Sequence, residues 1–211
     1  MTSIAVALML AAVQPGSASA AVQKTQDRVR SALDAWFKAE GSAKAKARER
    51  ARGVVGDLID FDTLAKSTLG SKWESTRPAD RARYTRALKG AMEANYLAKM
   101  RQGKSSDVEK VRIDLLGEEQ GPQGTVVHTK VHSGEDTAAI DYLMEKGKKG
   151  WKAVDVITEG VSLADTYREQ VARLLQKKGL DDVIAALDKK RKTLEADVEK
   201  PGGGSDASAK Q

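Results

Sequence analysis

Midway along this 211-residue chain the spacing of apolar residues changes from about four to two, and that change limits the folds open to it. Up to about Met100 the pattern is helical: Val29, Leu33, Trp36 and Phe37 form one stripe. The Ala/Lys/Arg-rich run from Ser42 to Arg52 is a good helix former with little to bury, so it is expected to be exposed. Asp60 or Asp62 can cap a short helix holding Phe61, Leu64, Ala65 and Leu69, with Gly70 at its end. Arg77-Pro78 opens a long helix, because proline is tolerated in a first turn. Its apolar side reads Tyr84, Leu88, Ala91, Met92, Asn95, Tyr96 and Met100.

After that the alternation is of strands. Val111, Ile113 and Leu115 come first, then Val127, Thr129 and Val131, then Ala139, Asp141 and Leu143, and last Trp151, Ala153, Asp155 and Ile157. Turn-rich segments separate them, so the four runs read as an antiparallel meander. Ser162, with Asp165 three residues on, starts another helix striped by Tyr167, Val171, Leu174 and Leu175. Gly179 ends it, and Leu180, Val183, Ile184 and Leu187 belong to a last helix. Helices, four strands, helices describe an α+β domain: a curved antiparallel sheet of about four strands, packed on one side against several helices.

The ends of the chain differ from its middle. Residues 1–20 carry no charge, Ile4 to Val13 is an apolar run of ten, and Ala18-Ser19-Ala20 has the small-residue pattern of a signal peptidase site. A bilayer-spanning helix needs about 20 apolar residues, so the run is too short for an anchor. A cleaved secretory signal over residues 1–20 is the expectation. Pro201 to Gln211 reads as a flexible tail, leaving one domain at 21–196 and a tail at 197–211.

Composition narrows the chemistry. The absence of cysteine excludes disulfides, thiolate zinc sites and cysteine nucleophiles, and there are only two histidines. His128 and His132 stand four apart in a predicted strand, a span of roughly 13 Å. Two ligands of one zinc, each about 2 Å from it, cannot be so far apart. No metal site is expected. Asp155 and Glu159 are read as carboxylates that satisfy backbone donors or a basic residue, not as an acid–base pair. No nucleophile elbow, zinc-protease helix or phosphate-binding loop occurs. Catalytic residues are therefore not expected, and neither is a cofactor. The net charge of +6 comes with interspersed signs and few aromatics, which disfavours nucleic acid.

A curved sheet faced by adaptable side chains can either fill its core or enclose an apolar cavity. Here the long helix offers Leu88, Met92, Tyr96 and Met100, and the sheet Val127, Val131 and Ala139.

Two stretches bear on that choice. The first runs Ile59-Asp60-Phe61-Asp62-Thr63-Leu64-Ala65, then Leu69-Gly70-Ser71-Lys72-Trp73, then Tyr84, Leu88 and Tyr96. The second is the segment from Trp151 to Ser162, with Asp155 and Glu159-Gly160-Val161-Ser162 inside it, continuing to Tyr167-Arg168 and Gly179. Together they resemble the MlaC family, the periplasmic phospholipid-binding component of the Mla transport system, over about Ala21 to Leu194. The resemblance implies an NTF2-like or cystatin-like sheet wrapped by helices, with an apolar pocket for acyl tails. It implies a periplasmic shuttle, not an enzyme. Its partners would be phospholipid, the MCE-domain protein of an inner-membrane ABC transporter, and an outer-membrane Mla complex. Positions often aromatic in the family's long helix are Leu88 and Met92 here, which bears on pocket volume.

On this reading the lipid-binding residues from the helices are Phe61, Leu64, Leu69, Leu88, Met92 and Tyr96. The sheet contributes Val127, Val131, Ala139, Leu143 and Ile157. A carrier of another apolar molecule, hopanoid- or sterol-like, is the alternative. The remaining one is an NTF2-like enzyme using Asp141, the acid that the alternation places on the inward face.

Overall fold

The computed structural model describes residues 13–102 and 110–199. Residues 1–12 and 200–211, which hold most of the expected signal and tail, lie outside the described residues, and residues 197–199 of the expected tail continue the last helix. Helices α1 (Ala18–Lys38), α2 (Gly41–Gly56), α3 (Phe61–Leu69), α4 (Lys72–Ser75) and α5 (Pro78–Gln102) precede the sheet. Strands β1 (Arg112–Gly121), β2 (Gly124–Ser133), β3 (Asp136–Gly147), β4 (Gly150–Thr158) and β5 (Val161–Ser162) follow, and α6 (Leu163–Leu175) and α7 (Leu180–Glu199) close the chain. The α+β architecture expected from the sequence is the one observed.

Local chemistry accounts for the helix boundaries. Asp60 is the cap of α3: its carboxylate accepts from the backbone N–H groups of Asp62 and Thr63 at 3.1 and 3.0 Å. Gly70 ends that helix at φ 55°, where a side chain would be strained. Ser162 caps α6 by accepting the Asp165 N–H at 3.0 Å. In α2 only Ala51 and Gly56 are buried, so the basic helix is largely solvated, as its composition predicts.

Five strands form one antiparallel sheet in the order β1-β2-β3-β4-β5. The fifth was expected as a plain connection from sheet to helix. Instead Glu159 and Gly160, both at positive φ (49° and 76°), make a two-residue turn that folds Val161 and Ser162 back on β4. Glu159 is held in this unusual conformation through Ala139: its N–H donates to the Ala139 carbonyl at 3.0 Å, and its Oε1 accepts the Ala139 N–H at 2.5 Å. Asp155 ties the sheet to α6, accepting from the N–H groups of Val156 (2.8 Å) and Ala164 (2.9 Å) and from the Ser162 hydroxyl (2.5 Å). Both carboxylates thus satisfy backbone donors, as the sequence suggests.

Apolar burial falls into three groups. The helical core joins α3, α5, α6 and α7 through Leu64, Tyr84, Leu88, Tyr167 and Val183, among others. A second cluster, Ala18, Val22, Leu58, Val127, Met144 and Ala153, joins the start of α1 to the sheet. The third packs the end of α1 against α2 and α5 through Ala32, Leu33, Trp36, Ala51 and Leu97. The α2–α3 connection is fastened to β4 by two backbone bonds of 2.8 Å, Ala153 N–H to Leu58 and Asp60 N–H to Ala153.

The expected processing point, Ala18-Ser19-Ala20, is part of the first turn of α1. Ser17 is its cap, accepting the Ala20 N–H at 3.1 Å, and Ala18 has no exposed surface. The Ser19 N–H donates to Glu118 of β1 at 2.6 Å, and the Trp151 indole donates to the Gly16 carbonyl at 2.9 Å. A cut after Ala20 would remove all of these contacts.

Candidate functional site

Strand pairing decides which side chains face α1. Val127, Met144 and Ala153 pack with Ala18 and Val22 of that helix, so their parity defines the inward face. Through the register this face holds Ile113, Val131 and Ala138 in one row, Leu115, Thr129 and Ile140 in the next, then Val127, Tyr142 and Val156. Thr129 is fully buried and gives its hydroxyl to the Ile140 carbonyl at 2.7 Å, so a polar group sits there at little cost.

Several residues on this face are deep but not packed shut. Burial pushes the phenol of Tyr142 well above the usual tyrosine range, and the Gln26 amide draws it partly back. Burial does the same to Tyr96 of α5, and Tyr142 is near enough to add to the shift. Yet both residues keep part of their surface accessible, as do Ile113, Val131, Ile140 and Val156. These partly accessible side chains leave the inward face less completely filled than the helical core. The start of α1 lies against this face.

The sequence-predicted residues separate into three sets. Phe61, Leu64, Leu69, Leu88 and Met92 are brought together, but in the helical core, where no sheet residue joins them. Val127 and Val131 lie on the inward face, Val127 without exposed surface, and Tyr96 packs with the cluster that joins α1, α2 and α5. Ala139, Leu143 and Ile157, expected on the inward face, lie on the opposite one, since their register neighbours are Lys130, Val126 and Asp141. The reason is twofold. β3 carries apolar residues in both parities, and Ile140, Tyr142 and Met144 are the set turned inward. A bulge between Leu143 and Met144 then shifts the register of β4, so that Val156 rather than Ile157 continues the face of Ala153.

Asp141 is corrected with them. It faces outward and accepts a 2.9 Å hydrogen bond at the ring of His128, whose other nitrogen is 3.5 Å from Glu119. His132 is paired separately, 2.9 Å from Asp114. The enzyme reading thereby loses the inward acid it required. Glu118 is an inward-facing carboxylate, and it already holds the Ser19 N–H.

Sequence reasoning did not nominate Ile113, Ile140, Tyr142 and Val156 of the inward face, or Gln26 of α1. A signal was present for three of them. Ile140, Tyr142 and Met144 form an unbroken period of two, and Gln26 interrupts the α1 stripe between Val22 and Val29. Two open depressions on the surface, about 440 Å³ between α1 and α2 and about 350 Å³ along α7, touch none of the residues nominated from the sequence.

Comparison with known proteins bears on this arrangement. A solved structure described as the phospholipid-binding protein from Ralstonia solanacearum, in complex with a phospholipid, superposes with a TM-score of 0.68. It is 20% identical, and the match covers 85% of this chain and 99% of that one. At that identity the likeness is one of fold. No curated protein matches the chain. The family described as MlaC protein matches residues 23–189, from the first turns of α1 to the middle of α7. The chain belongs to the MlaC family.

Proposed function

We propose that this protein is a phospholipid carrier that holds acyl tails in a hollow between the inward sheet face and helices α1 and α5. The observation that carries this reading is the inward sheet face, where Ile113, Val131, Ile140 and Tyr142 stay partly accessible while the helical core is closed. Apolar neighbours such as Ile140 and Val131 suit hydrocarbon. Each methylene taken from water is worth about 0.8 kcal/mol, so one long tail offers a gross stabilisation on the order of 10 kcal/mol. Net affinity is smaller once ordering costs are met. Release into water is therefore slow, and the cargo is handed over by contact with an acceptor.

The rest of the family's role follows as part of the same proposal. The protein is exported by an N-terminal signal, works in the periplasm, and passes lipid between an outer-membrane Mla complex and the MCE-domain protein of an inner-membrane ABC transporter. It is a binding protein and not an enzyme. Among the described residues no helix is long and apolar enough to cross a membrane, which suits a carrier that moves between two membranes.

Native mass spectrometry of protein purified from a periplasmic extract, with lipid analysis of whatever is released, tests this. An added mass matching a two-tailed phospholipid is expected. A hopanoid or sterol in its place would replace phospholipid as the cargo. Protein that emerges empty and refuses offered phospholipid would overturn the carrier reading.

A further inference from the structure

The excess of positive charge is not spread over the molecule. Residues 18–56, which form α1, α2 and the turn between them, hold nine basic and four acidic residues, and so five of the six net charges. The two helices lie side by side, packed through Ala32, Trp36 and Ala51. Between them runs an open depression of about 440 Å³, lined from α1 by Asp27, Arg28 and Ser31 and from α2 by Arg50, over small apolar side chains. Lys24 precedes Arg28 by four residues and Lys46 precedes Arg50 by four, so each lies on the same side of its helix as the arginine. Each rim of the depression thus carries a pair of cations.

Few of these charges are used within the protein. Arg28 meets Asp57 at 2.7 Å, with both side chains about half exposed. Lys24, Lys46 and Arg50 are exposed and have no ion pair or hydrogen bond among the described residues. What surrounds them decides the partner. Apart from Glu49, the other exposed positions of α2 are Gly41, Ser42, Ala43, Ala45 and Gly53. Such side chains offer no anchor to fill a pocket on a protein and no aromatic face for a base. Nor do they supply a large apolar group to insert among acyl chains, which is what holds an amphipathic helix in a bilayer. A charged array without anchors fits a partner that is itself an array of charge, the phosphates of an anionic lipid surface. Such attraction acts over about 8 Å at physiological ionic strength and is reversible.

We propose that the α1–α2 pair is a docking surface for membranes of anionic phospholipid, with headgroup phosphates received along the groove between Lys24 and Arg28 on one side and Lys46 and Arg50 on the other. This goes beyond the carrier reading and stands without it, since these residues lie outside the sheet face. The contact brings the protein to a membrane without inserting it, and lets it leave again.

The test pellets the full chain with vesicles of phosphatidylcholine alone, and of phosphatidylcholine with an equal part of phosphatidylglycerol, at low and high salt. The unmodified protein should bind the mixed vesicles far more tightly, and the difference should vanish at high salt. Lys24→Gln, Lys46→Gln and Arg50→Gln together should lower affinity for the mixed vesicles about a hundredfold, at roughly fivefold for each cation. Glutamine is a good helix former, so the melting temperature should not move. Arg50→Gln alone, expected to cost about fivefold, serves if the triple variant folds poorly. A comparison set, Lys148→Gln, Lys149→Gln and Lys178→Gln, removes the same charge from exposed positions elsewhere and should change binding far less. Equal losses from the two sets would overturn the docking surface in favour of net charge alone. Equal affinity of the unmodified protein for both kinds of vesicle would overturn it too, and would leave an acidic protein as the partner of these cations.

Discussion

The helical layer and the inward face of the sheet are built from similar residues and finished differently. In the helical core Leu64 keeps 2% of its surface and Tyr84, Leu88 and Val183 keep none. The Tyr84 hydroxyl there is 2.8 Å from that of Thr68, burial pushes Tyr84 up to about 12, and the Tyr167 hydroxyl is buried without a partner among the described residues. Across the sheet Val127 and Met144 are just as buried, but Ile113, Val131, Ile140 and Tyr142 remain partly accessible. One side is closed and the other is less completely filled. The difference separates the part of the chain that supplies stability from the part that supplies room. It also explains why Leu64, Leu69 and Leu88, chosen from the sequence as lining, are core: an apolar helical stripe looks the same whether it faces a neighbour or a cavity.

The largest effect expected from this contrast is in the closed layer. Leu88→Ala should cost about 2–5 kcal/mol, because the transfer energy of the lost atoms adds to that of the cavity left behind. Lipid bound per folded molecule should not change. Chemical denaturation and native mass spectrometry on the same sample check both halves. A loss of lipid with little loss of stability would place Leu88 in the hollow after all.

A smaller effect is expected at the start of α1, which covers the sheet. A chain beginning at Ala21 lacks the Ser17 cap, the buried Ala18 and the hydrogen bonds to Glu118 and from Trp151. It should be less stable than one beginning at Gln14 by about 1–2 kcal/mol, the scale of a lost helix cap with some burial. Equal melting of the two chains would show that this turn adds nothing. Mapping the N-terminus of exported protein then tells which of the two the cell makes.

The open face should tolerate bulk that the closed one cannot. Ile140→Trp fills space, so its cost in stability should stay below about 1 kcal/mol, whereas overpacking a filled core costs about 1–3 kcal/mol or more. The same substitution at Ala91, which has no exposed surface, supplies the comparison. Lipid occupancy should fall with the first and not with the second. Equal destabilisation by both would mean that the sheet face is as filled as the helices.

Much of this arrangement is legible in the sequence, and what is not has identifiable causes. Caps at Asp60 and Ser162, the break at Gly70 and the exposure of α2 follow from local chemistry that tertiary packing does not alter. The facing of β3 does not, because Ala139 and Leu143 compete with Ile140, Tyr142 and Met144 for the same inference. The bulge after Leu143 has no local signature in Ala153-Val154-Asp155, yet it decides which side Ile157 takes. Likewise, β5 depends on Glu159 adopting a positive φ, which its bond to Ala139, twenty residues away in sequence, makes tenable. Long-range pairing, then, is what the sequence leaves open, and the inward face is made of it.

The smallest effect concerns how the basic helix α2 joins the closed layer, and it is read as a pH dependence. Glu93 of α5 is buried, its Oε1 has no hydrogen-bond partner, and it fills the space left by Gly56 of α2, where an added Cβ would meet it at 2.3 Å. Lys89 and Arg52 are its nearest cations, at 3.8 and 4.0 Å, with Glu49 adding repulsion. At those distances attraction does not offset the loss of water, and burial holds the carboxyl above the usual carboxylate range. The folded chain therefore binds this proton more tightly than the unfolded one. Its contribution to stability is complete below the unfolded value, near pH 4.5, and is lost as the pH rises through the folded one. Glu93→Gln keeps the neutral form at every pH, and Arg52 retains Glu195 and Glu49. The variant should match the parent near pH 4 and become the more stable of the two as the pH approaches 7, measured as the gap between their melting temperatures. A gap that stays constant over that range would mean that Lys89 and Arg52 offset the cost of burying the Glu93 charge.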